Sequence, residues 1–322
     1  MRELTVGVDI GGTSTKYGIV DKEGNVQQQG SIAMNGFEDF RDFFDSLADS
    51  IRQAIDFTSN GSTIVGIGVG APNGNYYRGT IEGAINLKWK GILPLAKMLN
   101  DEFHIPCLLT NDANAAAVGE MIYGNAKGMK DFVVITLGTG LGSGFVCNGS
   151  ILNGHNGFAG ELGHTTVNPT GRYCNCGKRG CLETYASATG IKRTVYKLLA
   201  DHLEASELRG ISYEDLNTEM ISAAANRGDT VAMEAFEYTG RILGMKLSDT
   251  IVHTDPEAIF LFGGLARAGQ LIFKPTIAHM EQNLMPQFRN KVKVLPSGLS
   301  NETAPILGAS SLVWDHLSKT NV

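Results

Sequence analysis

The sequence predicts an α/β fold built twice. Two observations carry this. Short apolar strands alternate with segments of helical apolar spacing through the first third of the chain. The stretch VGVDIGGTSTKYGIVDKEG, which starts at Val6, is echoed by VVITLGTGLGSGFVCNG from Val133, an offset of 127 residues (133 − 6). Each copy has an apolar strand, a Gly/Thr-rich turn, a second strand with an internal glycine, and a polar turn. The offset is too long for a solenoid repeat and signals two related domains.

The elements follow in order. ELTVGVDIGGTSTKYGIVDKEGNVQQQGSI reads as three strands joined by a Gly-rich turn and an Asp-Lys-Glu-Gly-Asn turn. Phe37, Phe40, Phe43, Phe44, Leu47, Ile51 and Ile55 recur at helical spacing and predict a helix over 37–57. TIVGIGVGAP is a short apolar strand, and residues 92–103 predict a second helix. IPCLLTND reads as a buried strand running into the Ala-rich helix ANAAAVGEMIYG. Beyond the repeat, AIFLFGGLARAG (258–269) is a strand entering a third Gly-rich turn. ETAPILGASSLVWDHL is a closing helix with Pro305 near its start. No linker rich in Pro or Ser interrupts this order, so the domains are expected to be closely coupled.

Composition narrows the function. A chain of 322 residues suffices for roughly two domains with a buried core. Its net charge of −6, with no basic tract, argues against electrostatic binding of nucleic acid. No apolar run approaches the roughly 18 residues of a membrane span. The N-terminus enters a strand without the apolar core of a signal peptide. A cytoplasmic, thiol-reducing setting is the expectation, and there clustered cysteines hold metal more often than disulfides.

Three of the five cysteines, Cys174, Cys176 and Cys181, fall within eight residues. With His164 upstream they supply the four N and S donors of a tetrahedral zinc site. Thiolates and imidazole favour zinc over magnesium or calcium. Cys174 and Cys176 are too close along the chain for an unstrained disulfide. Four protein ligands leave no open coordination position, so the expected zinc is structural. Cys107 and Cys147 sit in apolar strand contexts and read as core residues.

The glycine turns offer backbone N–H groups to a phosphate with no Cβ in the way. The candidates are Gly11-Gly12-Thr13, Gly138-Thr139-Gly140 and Gly263-Gly264. None is a Walker A motif, and none is the Gly-x-Gly-x-x-Gly that opens a dinucleotide-binding helix. Each alone reads as a plain hairpin; the duplication of the first two gives them weight. Asp112 stands where a buried strand hands over to a helix. That is a usual place for active residues in α/β folds, while Asn111 or Asp112 also suits the helix N-cap; the two roles are compatible.

Together VGVDIGGTSTKYGIV, LTNDANAAAVGE, ITLGTGLGSGF, GFAGELGHTTVNPTGRYCNCGKRGCLE and IFLFGG resemble the ROK family of sugar kinases and sugar-responsive repressors, in order and over essentially the whole chain. The resemblance implies a two-lobed actin-like ATPase (ribonuclease H-like) fold with duplicated phosphate hairpins. It implies a small N-terminal lobe from residues 1–115 and 305–322, and a large C-terminal lobe with the zinc loop from 116–304. ATP would lie between the lobes, with Gly11, Gly12 and Thr13 on one side of its phosphates and Gly138, Thr139 and Gly140 on the other. Gly263 and Gly264 would lie near adenosine, and Asp9 would assist Mg²⁺ through water. Asn86, in a GAINLKWKG stretch like the family's Asn-Leu-x-Trp segment, would bind the sugar with Asn111, Asp112, Glu161, His164 and Glu183. Asp112 would be the base, and His164 would ligate zinc through one nitrogen and serve a sugar hydroxyl through the other.

The activity so implied is ATP-dependent phosphorylation of the 6-hydroxyl of an aldohexose, glucose first. Fructose, mannose, N-acetylmannosamine and N-acetylglucosamine are the alternative substrates. A repressor of this family carries a helix-turn-helix domain ahead of the first glycine turn, and only eight residues precede Asp9 here. The expected partners are therefore sugar and ATP, with no nucleic acid or membrane, in a homodimer or homotetramer. The family commonly writes Gly-x-Pro-Gly where this chain has Gly70-Ala71-Pro72-Asn73-Gly74, and NGNYYRGTIE reads as an insertion at the sugar pocket's rim. Lys16, Lys178 and Arg179 read as exposed charges.

Overall fold

The computed structural model describes residues 2–58, 61–300 and 302–320. Strands β1 (Arg2–Ile10) and β2 (Ser14–Asp21) pair antiparallel around the first glycine turn, and β3 (Val26–Ala33) adds to β2. Helix α1 (Phe40–Thr58) follows, with Phe43, Phe44, Leu47 and Ile51 buried. Strand β4 (Ser62–Ala71) returns parallel to β1. Three short strands, β5 (Gly74–Asn75), β6 (Thr80–Glu82) and β7 (Ile92–Leu93), form a small antiparallel sheet. Helix α2 (Leu95–Phe103), strand β8 (Cys107–Asn111), parallel to β4, and helix α3 (Asp112–Ile122) complete this part.

Strands β9 (Phe132–Leu137), β10 (Leu141–Cys147) and β11 (Ser150–Ile151) open the second series. Helices α4 (Ala188–Asp201), α5 (Thr218–Asn226) and α6 (Thr230–Thr254) lead to strand β12 (Ala258–Phe262). Helix α7 (Gln270–Asn283), strand β13 (Lys293–Pro296) and helix α8 (Ala304–Thr320) end the chain's described structure. The first sheet has the order β3-β2-β1-β4-β8 and the second β11-β10-β9-β12-β13. In each, three consecutive strands are followed by two parallel ones. The repeat seen in the sequence is thus a repeat of strand order.

The chain divides into two compact units: Met1–Met129 with Gly144–Gly160 and Ser297–Val322, and Lys130–Ser143 with Glu161–Pro296. This differs from the expected division. A break at 115/116 would fall inside α3, which runs on unbroken because α8 packs against it at glycine distance. A Cβ at Gly119 would lie 2.8 Å from Gly308 Cα, and one at Gly308 would lie 2.9 Å from the Ala115 carbonyl oxygen. The core of the first unit joins Val6, Val8, Ile67 and Val69 of the sheet to Phe43, Leu47 and Ile51 of α1 and Leu95 and Leu99 of α2. Each large side chain so buried contributes about 1.5–3 kcal/mol.

The segment NGNYYRGTIE is a docked hairpin, built from β5 and β6. Gly74 lies so close to β8 that a Cβ would come within 2.3 Å of the Thr110 carbonyl oxygen. Asn75 is fully buried. Its Oδ1 accepts from the N–H groups of Tyr77 (3.1 Å) and Arg78 (3.2 Å), and its Nδ2 donates to the Asn156 carbonyl (2.8 Å). A buried amide with these partners fixes the hairpin's register. Among the described residues, no helix is long and apolar enough to cross a membrane.

Candidate active site and metal centre

Strand register builds the first part of the site. Asp9 on β1 stands beside Gly70 on β4, and Gly70 stands beside Thr110 on β8. Strand β8 passes directly into α3. Asn111 caps that helix, its Oδ1 accepting from the Ala113 N–H at 2.8 Å. Asp112 is the first helical residue, and its Oδ1 accepts from the same N–H at 2.8 Å. A Cβ on Gly70 would lie 3.5 Å from Asp112 Cα and 3.6 Å from Asp9 Oδ1. Gly70 therefore lies between Asp9 and Asp112, with Ala115 packed closest to it, at 3.2 Å from where a Cβ would stand.

Burial first, and then the negative charge of Asp112, push the Asp9 carboxyl up to about 7; Lys16 opposes this. Lys16 is Asp9's partner across the hairpin. Asp112 keeps an accessible surface, yet it is densely surrounded by protein. Burial raises its carboxyl above the ordinary range against the backbone donors of Ala113 and Asp112 itself. A carboxyl with raised proton affinity at the carboxyl ends of parallel strands suits proton transfer.

The glycine turns are closed by backbone bonds. The Gly11 N–H donates to the Ser14 carbonyl (3.0 Å), and the Thr13 carbonyl accepts from Met34 (2.9 Å). A Cβ on Gly12 would lie 2.9 Å from the Asn86 carbonyl oxygen. Gly12, Thr13 and Asn86 share the wall of a cavity of about 320 Å³ with Met34, Lys88 and Trp89. In the second unit, the Gly138 carbonyl accepts from the Ala188 N–H at 2.8 Å, and Thr139 is exposed. Gly263 has φ 102°, and a Cβ there would lie 2.7 Å from the Leu137 carbonyl oxygen. Only glycine fits both demands, so the third turn lies against the second. Gly264 heads a short 3₁₀ turn, Leu265–Ala268, near Thr218 and Arg267.

The cysteine cluster is assembled as its spacing predicts. The donor atoms of His164, Cys174, Cys176 and Cys181 all lie within 4.8 Å of one another. Cys174 Sγ is 3.7 Å from His164 Nδ1, and Cys176 Sγ is 3.6 Å from Cys181 Sγ. Thiolates around a tetrahedral zinc with Zn–S of about 2.3 Å are about 3.8 Å apart, so the donor set fits zinc. Local backbone makes the cup. The Cys174 N–H donates to Lys178 (3.0 Å), the Gly177 N–H donates to Cys174 (3.1 Å), and Thr166 pairs with Cys181. Gly180 has φ 72°, and a Cβ there would lie 1.6 Å from the Asn168 carbonyl oxygen. Burial pushes Cys174 up to about 12 and also raises Cys181. At Cys176 burial is outweighed by the Lys178 N–H, and its thiol is lowered. A bound dication lowers the cost of ionising such a crowded set. Cys107 and Cys147 lie on β8 and β10, apart from this cluster, and are half-buried rather than fully in the core as expected.

The metal loop also carries the two glutamates. Glu183 sits in a 3₁₀ turn, Leu182–Thr184, directly after Cys181. Its Oε2 accepts from the Leu141 N–H at 3.0 Å, and its Oε1 is 3.6 Å from Cys174 Sγ. A Cβ on Gly140 would lie 2.3 Å from Glu183 Oε2. Glu161 precedes the 3₁₀ turn Leu162–His164, where the Leu162 N–H donates to Ser143 Oγ (3.1 Å). Glu161, His164 and Glu183 are thus organised around the segment 141–143 that follows the second glycine turn.

Two residues absent from the sequence-based set help build the site. Gly70 is one; only the strand register reveals it. Arg172 is the other. Its guanidinium donates to the Thr184 carbonyl (2.7 Å), the Gly190 carbonyl (2.9 Å) and Thr194 Oγ1 (2.9 Å), and it lies over the Tyr185 ring. It fastens the metal loop to α4 and to the turn bearing Glu183. Lys178, expected as a free surface charge, donates to the His164 carbonyl at 2.8 Å.

The ROK family profile matches residues 5–316. The glucokinase of Halalkalibacterium halodurans is 36% identical over 314 residues, which cover 96% of this chain and 94% of that protein. The glucokinase of Thermotoga maritima is 33% identical over 320 residues, 97% of this chain and 98% of that one. Among solved structures, a ROK family glucokinase from Streptomyces griseus in complex with glucose and AMPPNP matches with a TM-score of 0.80 at 33% identity. That match covers 96% of this chain and 98% of the other. With the family profile matched over nearly the whole chain and relatives of 33–36% identity along it, the chain belongs to the ROK family.

Proposed function

We propose that this protein transfers the γ-phosphoryl group of ATP to the 6-hydroxyl of an aldohexose, with glucose as the first candidate. The observation that carries the reading is Asp112. It stands at the head of α3, beside Asp9 across Gly70, with its carboxyl raised by burial. The glucokinase relatives, one of them bound to glucose and AMPPNP, support the substrate pair.

In this reading the sugar oxygen attacks γ-phosphorus in line, its proton passes to an Asp112 oxygen, and ADP leaves. Asn86, Asn111, Glu161, His164 and Glu183 bind sugar hydroxyls, where the carboxylates are strong acceptors. Gly12, Thr13, Gly138, Thr139 and Gly140 offer backbone donors to the phosphates, while Gly11, whose own N–H closes the turn onto Ser14, lets them approach; Gly263 and Gly264 border adenosine. Mg²⁺ bound with ATP would neutralise phosphate charge, with Asp9 holding its water shell. His164, Cys174, Cys176 and Cys181 would hold a zinc ion, which with no open coordination position would order the sugar loop and take no part in the reaction. Assembly as a homodimer or homotetramer in the cytoplasm belongs to the same reading.

ADP release measured against a panel of sugars tests it. Glucose should give the highest kcat/KM. A higher value for fructose, mannose, N-acetylmannosamine or N-acetylglucosamine would reassign the substrate. No sugar raising ADP release above the sugar-free rate would sink the kinase reading.

A further inference from the structure

Glu120 lies on α3, eight residues after Asp112 (120 − 112), about 12 Å along the helix axis. It is 1% exposed. Its Oε1 accepts from the N–H groups of Asn125 (2.7 Å) and Gly298 (2.8 Å), and its Oε2 accepts from the Ser297 hydroxyl (2.5 Å). These partners are far apart in sequence, and their positions have a common meaning. The chain leaves the first unit after Met129, passes through it again over Gly144–Gly160, and returns to it for the last time at Ser297. Asn125 lies on the outgoing segment; Ser297 and Gly298 lie on the returning one. Both segments close tightly on the carboxylate. A Cβ on Gly124 would lie 2.5 Å from Glu120 Cδ, and one on Gly298 would lie 2.7 Å from the Asn125 nitrogen.

A buried carboxylate is costly unless its lone pairs are filled, and here neutral donors fill them. Nothing in the phosphoryl transfer proposed above needs a carboxylate at this end of the helix. The other end does need a fixed position. The helix buries Ala113, Asn114, Ala115, Ala117 and Val118, with Val118 packed against Leu312, and it meets α8 closely through Gly119 and Gly308. Apolar packing of this kind is non-directional and sets the distance between elements more than the position along the axis. Directional hydrogen bonds fix that position better.

We infer that Glu120 is a positioning residue: it fastens α3 to the outgoing and returning segments and so holds Asp112 in place. The inference rests on the reading of Asp112 as the base. A misplacement of about 1 Å at a reacting group costs on the order of 10²-fold in rate.

The test compares three variants with wild type, well below each melting temperature. Glu120→Gln keeps the length and one accepting oxygen, and its NH₂ can donate to the Ser297 hydroxyl. Its kcat should stay within about threefold of wild type. Glu120→Asp withdraws the carboxylate by one methylene; kcat should fall about 10- to 10²-fold while the sugar KM stays within about threefold. Ser297→Ala removes one donor and should act in the same direction, less strongly; it decides the matter if Glu120→Asp does not fold. Amide exchange at Ala113–Ala116 should quicken in Glu120→Asp and not in Glu120→Gln. Wild-type kcat in Glu120→Asp, a loss confined to sugar KM, or equal impairment of the Asp and Gln variants would overturn the inference. A wild-type protein with no sugar-dependent turnover would refute the kinase reading instead, and the exchange rates would still report whether Glu120 holds α3.

Discussion

Glu183 accepts a hydrogen bond from the Leu141 N–H at 3.0 Å, and this contact, with that from the Leu162 N–H to Ser143 Oγ, joins the metal loop to the segment that follows the second glycine turn. The other oxygen of the same carboxylate lies 3.6 Å from Cys174 Sγ. The His/Cys cluster, the Glu183 carboxylate and the glycine turn are therefore one mechanical unit, which makes their perturbations predictable.

Replacing Cys176 with Ser should lose the zinc, because a neutral hydroxyl is a far poorer ligand than a thiolate. The variant should bind sugar more weakly and melt earlier, since metal-binding energy is partly folding energy. ATP affinity should change much less. Metal analysis with separate sugar and nucleotide titrations checks this. A zinc-free variant with normal sugar affinity would detach the metal from the sugar site.

Gly140→Ala probes the same unit from the other side. The new Cβ would lie 2.3 Å from Glu183 Oε2, so the flexible glutamate has to move off the Leu141 N–H. Sugar affinity should fall by about ten- to a hundredfold, the worth of a hydrogen bond to a charged group, roughly 1.5–3 kcal/mol. Calorimetry gives the answer directly. Unchanged sugar affinity would mean that this position of Glu183 is irrelevant to binding.

Stability should depend on pH through Asp9. Its carboxyl is pushed from 3.8 up to about 7, so the folded chain holds that proton more tightly than the unfolded chain does. The resulting stability is fully present below pH 3.8 and is lost as pH rises through about 7. Without ligands, Tm should fall between about pH 4 and pH 7, and Asp9→Asn should flatten that fall. An equal slope in the variant would show that Asp9 is not the group responsible.

Much of this was legible in the sequence because glycine and cysteine carry specific demands. The Gly11–Thr13 and Gly138–Gly140 turns and the His/Cys cluster stand where the spacing places them. Helix α3 begins at Asp112, at the junction of IPCLLTND with ANAAAVGE, because Asn111 is a good cap. Other features depend on tertiary contact alone. Gly70 looks like any strand glycine until register sets it between Asp9 and Asp112. The β5–β6 hairpin looks like an insertion because its strands are two and three residues long and its anchor is the polar Asn75. Helix α6 shows little apolar periodicity, since part of its packing face is glycine. Cβ atoms at Gly240 and Gly244 would meet Pro275 at 2.6 Å and the Thr276 carbonyl oxygen at 2.3 Å. The unit boundary escapes for a like reason, because α3 and α8 meet through small residues.

The central claim is that Asp112 takes the sugar's proton, and Asp112→Asn tests it most directly. The amide keeps the shape and can still cap the Ala113 N–H, but it cannot accept the proton. Glucose affinity measured by titration should stay near wild type, while kcat for glucose-dependent ADP release falls by about 10²–10⁴-fold. A variant that binds glucose normally and turns over within about threefold of wild type would contradict the account.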